Sequence, residues 1–299
     1  MTQILLALVV LANLIITFTK AFASANRIRE VFEIAPEEMG EKENIAASSD
    51  NILEFRNVSF SYPTAGDESL KNISFTLKRG QMLGIIGGTG SGKSTLASLI
   101  PCFYKASKGE VLVAGVNANE YAPDALRRSV GYVPQKAVLF SGSVRDNMKW
   151  RKANASDEEV IAALKTAQAW DFVSSKPSGL DTPVSQGGKN FSGGQKQRIS
   201  IARALVGHPD IIILDDSTSA LDYSTDLALR KALKEDMSDT TIIMISQRTT
   251  SLKDADLIIV MDDGEAVGIG THDELLKTCG VYNEIYLSQI SEKEDGKNA

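Results

Sequence analysis

The sequence predicts an α/β domain built on a mixed central sheet, with a helical insertion in its middle. Three observations carry this. Met82 to Ile86, Ile211 to Leu214 and Ile242 to Ile245 are short apolar runs, the pattern of buried strands. The first of them ends in a glycine cluster that leads into an apolar helix, Leu96 to Ile100. Between about residues 141 and 205 the period becomes helical, over Asp157 to Ala169 and Gln195 to Leu205.

Other strands are expected around this centre. Leu53 to Phe55 and Val58 to Tyr62 alternate as exposed strands do, and Ile73 to Leu77 repeats the pattern. Leu257 to Met261 and Ala266 to Gly270 read as a closing hairpin around Asp262-Asp263-Gly264.

A chain of 299 residues can bury a full core. Its net charge of −6 argues against a nucleic-acid partner, because a phosphate-backbone binder shows a basic face. Cys102 and Cys279 lie far apart and make no metal or redox spacing, so a reducing compartment and plain thiols are expected.

The start stands apart. From Ile4 to Phe18 only Asn13 and Thr17 interrupt an apolar run, a little short of the ~20 residues of a spanning helix. Three readings compete. A signal peptide has a cleavage-like Ala23-Ser24-Ala25 but lacks a basic leading segment. A buried core helix fits by length. The end of a membrane helix fits the basic residues that follow, Lys20, Arg27 and Arg29, which favour the cytoplasmic side. Residues 1–20 are then the membrane piece. Residues 21–50 are a connector, helical to about Ile34 and then a polar linker from Pro36 to Asp50. The globular domain is 51–299.

Gly87-Gly88-Thr89-Gly90-Ser91-Gly92-Lys93-Ser94 fits the phosphate-loop pattern G-x-x-x-x-G-K-[ST]. Glycines let the chain curl so that backbone N–H groups face phosphate oxygens. Lys93 is placed to neutralise the β- and γ-phosphates, and Ser94 Oγ to bind Mg²⁺. Asp215, ending the apolar run from Ile211, is the expected second Mg²⁺ residue. The alternative for such an acid is a helix cap.

Phe191-Ser192-Gly193-Gly194-Gln195 resembles the signature motif of the ATP-binding cassette (ABC) family, with Phe in place of Leu. Other landmarks fall in family order. Tyr62 matches the aromatic residue that stacks on adenine. Gln135 matches the Q-loop glutamine that senses Mg²⁺ and touches the membrane domain. Ser219-Ala220-Leu221-Asp222 matches the D-loop at a dimer seam. The resemblance runs from Asn51 to about Ser288. It implies an ABC-type P-loop ATPase domain with a mixed central sheet, an antiparallel β subdomain and an inserted helical subdomain, preceded by a short piece of transmembrane helix.

That resemblance further implies an exporter at the cell membrane, with this domain on the cytoplasmic side and the preceding membrane helices outside the sequence. ATP and Mg²⁺ are the expected ligands. Gly87, Thr89, Gly90, Ser91, Gly92, Lys93, Ser94 and Thr95 would hold one nucleotide. Ser192, Gly193, Gly194, Gln195 and Asp222 would face a partner's. Ser94, Gln135 and Asp215 would hold the metal, and Asp216, Gln247 and Gln135 would serve hydrolysis. The implied partners are a second half-transporter and the coupling helices of a transmembrane domain. A GTPase would show an N-K-x-D reader, which the sequence lacks. A metabolite kinase would lack the signature. A chromosome-type ATPase would insert a long coiled coil where only residues 95–190 intervene.

Two hydrolysis positions and one loop depart from the family. Asp216 stands where Glu polarises the attacking water, a side chain shorter by roughly 1.5 Å. Gln247 stands where His is usual, and it cannot become cationic. Ser185-Gln186 replaces a frequent Gly-Glu. His208 and His272 are not placed to substitute. The combination resembles one subunit of a heterodimeric exporter with unequal ATP sites. An ATP-dependent dimerisation module without hydrolysis is the alternative.

Overall fold

The computed structural model describes residues 1–34, 40–43, 45, 49–63 and 66–295, with side chains to residue 290. Pro36 and most of the expected linker to Asp50 lie outside these residues. The chain divides into two units, Met1–Met39 and Gly40–Ala299.

The first unit is one helix, α1 (Thr2–Phe32), of 31 residues with none buried. It has the length and apolar composition of a membrane span, with a mean hydropathy of 2.2 over its most apolar 18-residue window. At 1.5 Å per residue it extends about 46 Å, more than the ~30 Å hydrocarbon core of a bilayer. The expected division at residue 20 falls inside this helix, because nothing between Lys20 and Arg29 breaks helical geometry. The hydroxyls of Thr17 and Thr19 donate back to the carbonyls of Asn13 and Ile15 at 2.8 and 2.9 Å, which satisfies them without water.

The second unit begins with β1 (Asn51–Phe60), β2 (Leu70–Lys78) and β3 (Met82–Gly87), followed by α2 (Lys93–Leu99). β4 (Lys108–Val113), β5 (Val116–Asn117), α3 (Pro123–Ser129) and β6 (Val130–Val133) come next. The helical segment holds β7 (Gly142–Ser143), α4 (Val144–Lys149), α5 (Asp157–Thr166), α6 (Trp170–Ser174), β8 (Pro183–Val184) and α7 (Gly193–Leu205). The chain then returns through β9 (Ile211–Asp215), α8 (Tyr223–Asp236), β10 (Thr241–Ile245) and α9 (Thr249–Leu252). It ends with β11 (Leu257–Asp262), β12 (Glu265–Gly270), α10 (His272–Thr278) and α11 (Gly280–Asp295).

The larger sheet has strand order β12-β11-β3-β10-β9-β6. All neighbours are parallel except β11 and β12, which form the expected hairpin. Its two-residue turn, Asp263-Gly264, has positive φ at both residues, the geometry that matches strand twist. The smaller sheet, β2-β1-β4-β5, is antiparallel. The two exposed strands expected at 53–55 and 58–62 are one strand, β1, whose apolar residues are buried. Register shifts near Asn57, at φ 49°, let it bend and continue.

One continuous buried cluster joins sheet residues Ile86, Ile212, Leu214 and Val260 to Val160, Leu164 and Ile199 of the helical segment. The insertion therefore shares the core of the sheet. Three of its helices start on capping boxes, Ser143 with Asp146 at α4, Ser156 with Glu159 at α5 and Ser192 with Gln195 at α7. The helix expected to reach Ala169 stops at Thr166, where Gln168 takes φ 57° and the chain turns into α6.

Strand register sets the site. Ile245 pairs with Ile85 and with Asp215, and Leu214 pairs with Val133. The carboxyl ends of β3, β10, β9 and β6 are therefore level, and each feeds a loop of the candidate site. This is the edge at which parallel α/β sheets bind ligands.

Candidate active site

The loop from Gly87 to Gly92 links β3 to α2. Gly87 has φ 155°, and a Cβ there would lie 2.1 Å from the Met261 carbonyl oxygen. Gly92 has φ 97°, with Ser69 O and Leu70 Cδ2 each 2.9 Å from its would-be Cβ. Packing and backbone both demand glycine here. At Gly88 and Gly90, by contrast, a Cβ would meet nothing within 4 Å, so the crest of the loop faces open space. The β11–β12 turn packs onto the loop, since Gly264 N donates to Ser91 O at 3.3 Å.

Lys93 opens α2 and is buried. Its ammonium donates to Gly87 O at 3.0 Å, to Gly88 O, and to Ser91 Oγ at 3.3 Å. Burial lowers its pKa, while the fields of Asp215 and Asp216 hold it up. A buried cation inside a loop with an open crest suits a phosphate chain. The cleft beside it, about 300 Å³, is lined by Tyr62, Gly90, Gly92, Lys93, Ser94 and Thr95, with Asp263 and Gly264 at its edge. Thr89 is exposed on the loop crest.

Ser94 Oγ donates to Asp215 Oδ1 at 2.9 Å, and the Tyr132 hydroxyl donates to Asp215 Oδ2 at 2.9 Å. Burial, and then the charge of Asp215, push the Tyr132 phenol well above its ordinary range. A hydroxyl and a carboxylate together form a hard oxygen donor set, which suits Mg²⁺. Tyr132, on β6, was not expected from the sequence. A tyrosine in a short strand carries no local signal of what the neighbouring strand, distant in sequence, places beside it.

Asp216 lies at φ 44° with its backbone held at both ends. Its N–H donates to Ile245 O at 3.0 Å, and its carbonyl accepts from Ser219 N at 3.3 Å and Ser219 Oγ at 2.7 Å. Gln135 Nε2 donates to Asp216 Oδ2 at 3.0 Å, which joins the two residues. Burial raises the Asp216 carboxyl, the Gln135 bond opposes this, and Asp215 adds to it. Gln247, just past β10, lines a cavity with Asp216 and Ser219. Among the described residues the Gln135 side chain hydrogen-bonds Asp216 rather than Ser94 or Asp215, so the structure does not join it to the expected metal pair.

The Tyr62 ring packs edge-on to Phe60 and Tyr104, with centroids at 4.8 and 5.1 Å. Its hydroxyl lies 3.1 Å from Thr95 Oγ1, in the first turn of α2. Two aromatic neighbours and one hydrogen bond therefore fix the ring at the cleft.

The signature residues lie elsewhere on the chain. Ser192 caps α7, its Oγ accepting from Gln195 N at 3.3 Å, while Gln195 Oε1 accepts from Ser192 N at 3.1 Å. A Cβ on Gly193 would meet nothing within 4 Å, and one on Gly194 would lie 3.3 Å from Ala220 O in the loop before α8. Asp222 caps α8, accepting from Thr225 N at 2.9 Å, Ser224 Oγ at 2.6 Å and Thr225 Oγ1 at 2.8 Å. Those bonds, from Ser224 first, hold its carboxyl far below the ordinary range. Its oxygens serve the cap. None of Ser192, Gly193, Gly194, Gln195 or Asp222 lines the Lys93 cleft.

Fold and site together define an ABC-type ATPase domain: a wound sheet with a phosphate loop, an acid-ended neighbouring strand and an inserted helical segment. The family model described as ABC transporter matches residues 70–219, and the chain belongs to that family. Bacillus subtilis YfiB, an uncharacterized ABC transporter ATP-binding protein, is 44% identical over 289 residues, 97% of this chain and 50% of that protein. An ATP-dependent lipid A-core flippase of Pseudomonas fluorescens is 42% identical over 268 residues, 89% of this chain and 44% of that one. A solved structure of a bacterial Atm1-family ABC exporter with ATP bound superposes with a TM-score of 0.83. It is 33% identical and covers 92% of this chain and 48% of its own. The chain thus carries an exporter-type ATP-binding domain and spans about half the length of the relatives it matches.

Proposed function

We propose that this chain is the ATP-hydrolysing half of a membrane exporter subunit, with a slow site of its own and a signature that serves a partner. Lys93 and the loop from Gly87 to Gly92 hold the triphosphate, Tyr62 stacks on the base, and Ser94 with Asp215 hold Mg²⁺. Bound by these residues, Mg²⁺ would neutralise charge on the β- and γ-phosphates. Water attacks the γ-phosphorus as the bond to the bridging oxygen breaks, and Asp216 orients that water. α1 is read as the end of a membrane span, which puts the domain at the cytoplasmic face of the cell membrane.

The Asp216–Gln135 bond at 3.0 Å carries the slow-site reading. Asp216 has one methylene less than the family's Glu. Its backbone is pinned to Ile245 and Ser219, so a main-chain shift cannot restore the reach. A misplacement of about 1 Å at a reacting water costs about a hundredfold. Gln247 can hydrogen-bond a γ-phosphate but adds no positive charge.

The signature presents the start of a 13-residue helix, an anion site, away from the Lys93 cleft. That separation fits a nucleotide shared between two chains. The preferred partner is a second half-transporter that keeps Glu and His, in a heterodimer. A groove of about 460 Å³ lined by Arg127, Arg128, Phe140, Trp150, Arg151 and Arg203 offers a seat for coupling helices of a transmembrane domain. Arg203 Nη1 is buried there without a partner among the described residues.

Steady-state ATPase assays test the reading. The chain alone should bind ATP and turn it over poorly. Asp216→Glu with Gln247→His should raise turnover more than either change alone, and not additively, because both act on one transition state. Ser192→Ala should spare ATP binding and stop hydrolysis in a pair with a Glu- and His-bearing partner. Full turnover by the unmodified chain alone would sink the slow-site reading.

A further inference from the structure

We propose that Gln289 of α11 is a positioning residue for the loop that carries Gln247, so that the C-terminal helix sets the geometry of the hydrolytic edge. This rests on the reading that Gln247 faces the γ-phosphate. Gln289 Nε2 donates to Gln247 O at 2.6 Å. Its Oε1 accepts from Thr249 N and from Thr249 Oγ1, both at 2.9 Å. One amide thus grips the backbone on both sides of Arg248.

The loop has few other restraints. Ser246 N donates to Ile85 O at 3.1 Å, and Arg248 N donates to Ser246 Oγ at 3.0 Å. Neither bond holds the Gln247 carbonyl. Thr249 is buried, so its N–H and hydroxyl need the acceptor that Gln289 brings.

α11 is firm enough to act as the anchor. Tyr282 is fully buried and its hydroxyl lies 2.8 Å from His272 Nδ1. Ile285 packs against the same core. Tyr282, Ile285 and Gln289 stand at i, i+3 and i+7, one face of a helix, so the packing of the first two aims the third. Gln289 also lines the cavity of about 620 Å³ that holds Asp216, Ser219 and Gln247. Only an amide fits, because the loop asks for one donor and one acceptor from the same side chain.

The test compares Gln289→Ala and Gln289→Glu with the parent in the full chain. Readouts are Mg-ATP affinity, kcat, KM and hydrogen exchange at the Thr249 amide. Gln289→Ala should leave affinity and KM unchanged, lower kcat about tenfold or more, and abolish protection of the Thr249 amide. Gln289→Glu keeps the acceptor for Thr249 but sets a carboxylate oxygen against the Gln247 carbonyl. Its kcat should be low at pH 8 and recover relative to the parent only as pH falls toward about 4.3, the ordinary glutamate value, where the protonated carboxyl regains a donor. Unchanged kcat and Thr249 protection in Gln289→Ala would overturn the proposal. So would a pH-independent deficit in Gln289→Glu. A parent that binds no ATP would sink the functional reading instead, while Thr249 exchange still judges the clamp.

Discussion

Ser94 Oγ donates to Asp215 Oδ1 across 2.9 Å, and this bond joins the first turn of α2 to the end of β9. Tyr132 holds the other oxygen of the same carboxylate from β6. Three segments far apart in sequence therefore orient one candidate metal ligand. Tyr132→Phe should keep the ring packing and the fold but free Asp215 to rotate. The Mg²⁺ concentration for half-maximal ATP binding should rise by about 10- to 100-fold, as when a group orienting a metal ligand is lost. A Mg²⁺ titration of nucleotide binding checks this, and an unchanged midpoint would remove Tyr132 from the site.

Lys93→Ala should abolish ATP binding, because among the described residues no other cation is buried at the loop. Tyr62→Ala should weaken it by about 1–3 kcal/mol, the cost of losing an aromatic stack on a base. Calorimetric titration separates the two. Parent-like affinity in Lys93→Ala would show that the loop does not hold the triphosphate.

The glycines divide by what surrounds them. Gly92→Ala should destabilise the domain by at least about 1–2 kcal/mol from its left-handed backbone alone, before the clash with Ser69 and Leu70 is counted. Gly193→Ala should leave stability unchanged or raise it by up to about 1 kcal/mol, since its Cβ would enter open space on a helix. Thermal denaturation measures both. In the mixed pair Gly193→Ala should still slow hydrolysis, because in the proposed shared site its Cβ would point toward the partner's nucleotide.

Asp216 makes a prediction about pH. Burial raises its carboxyl above the ordinary 3.8, so the folded state holds the proton more tightly than the unfolded state does. Its favourable contribution is complete below the unfolded value and is lost as pH rises through the folded value. Near pH 7 the ionised carboxylate therefore opposes folding. Asp216→Asn should raise the denaturation midpoint slightly at pH 7, and the gap from the parent should shrink as pH falls toward 4. A gap that does not vary with pH would contradict the burial account.

Much of the architecture was legible because the signals are local. The apolar runs of β3, β9 and β10 announce strands buried on both faces. Asp263-Gly264 announces a tight hairpin by its backbone preference. The strand β6, only four residues long, and the helices α8 and α11 were not legible. Strand β6 is too short to show a period, and α8 and α11 mix apolar residues among charges. The two strands expected at 53–62 were one, since a bulge at Asn57 breaks the alternation without ending the pairing.

The sequence by itself determined the class of this protein. The loop from Gly87 to Ser94, the acid-ended strand at Asp215 and the motif around Ser192 each follow from backbone geometry and charge within a few residues. Tertiary structure alone decided which side chains meet. Level strand ends bring Gln135 to Asp216 and Tyr132 to Asp215, and the packing of Tyr282 and Ile285 delivers Gln289 to Gln247. Such contacts depend on strand register and helix docking, which no short stretch of sequence encodes, because both arise when distant apolar faces bury one another.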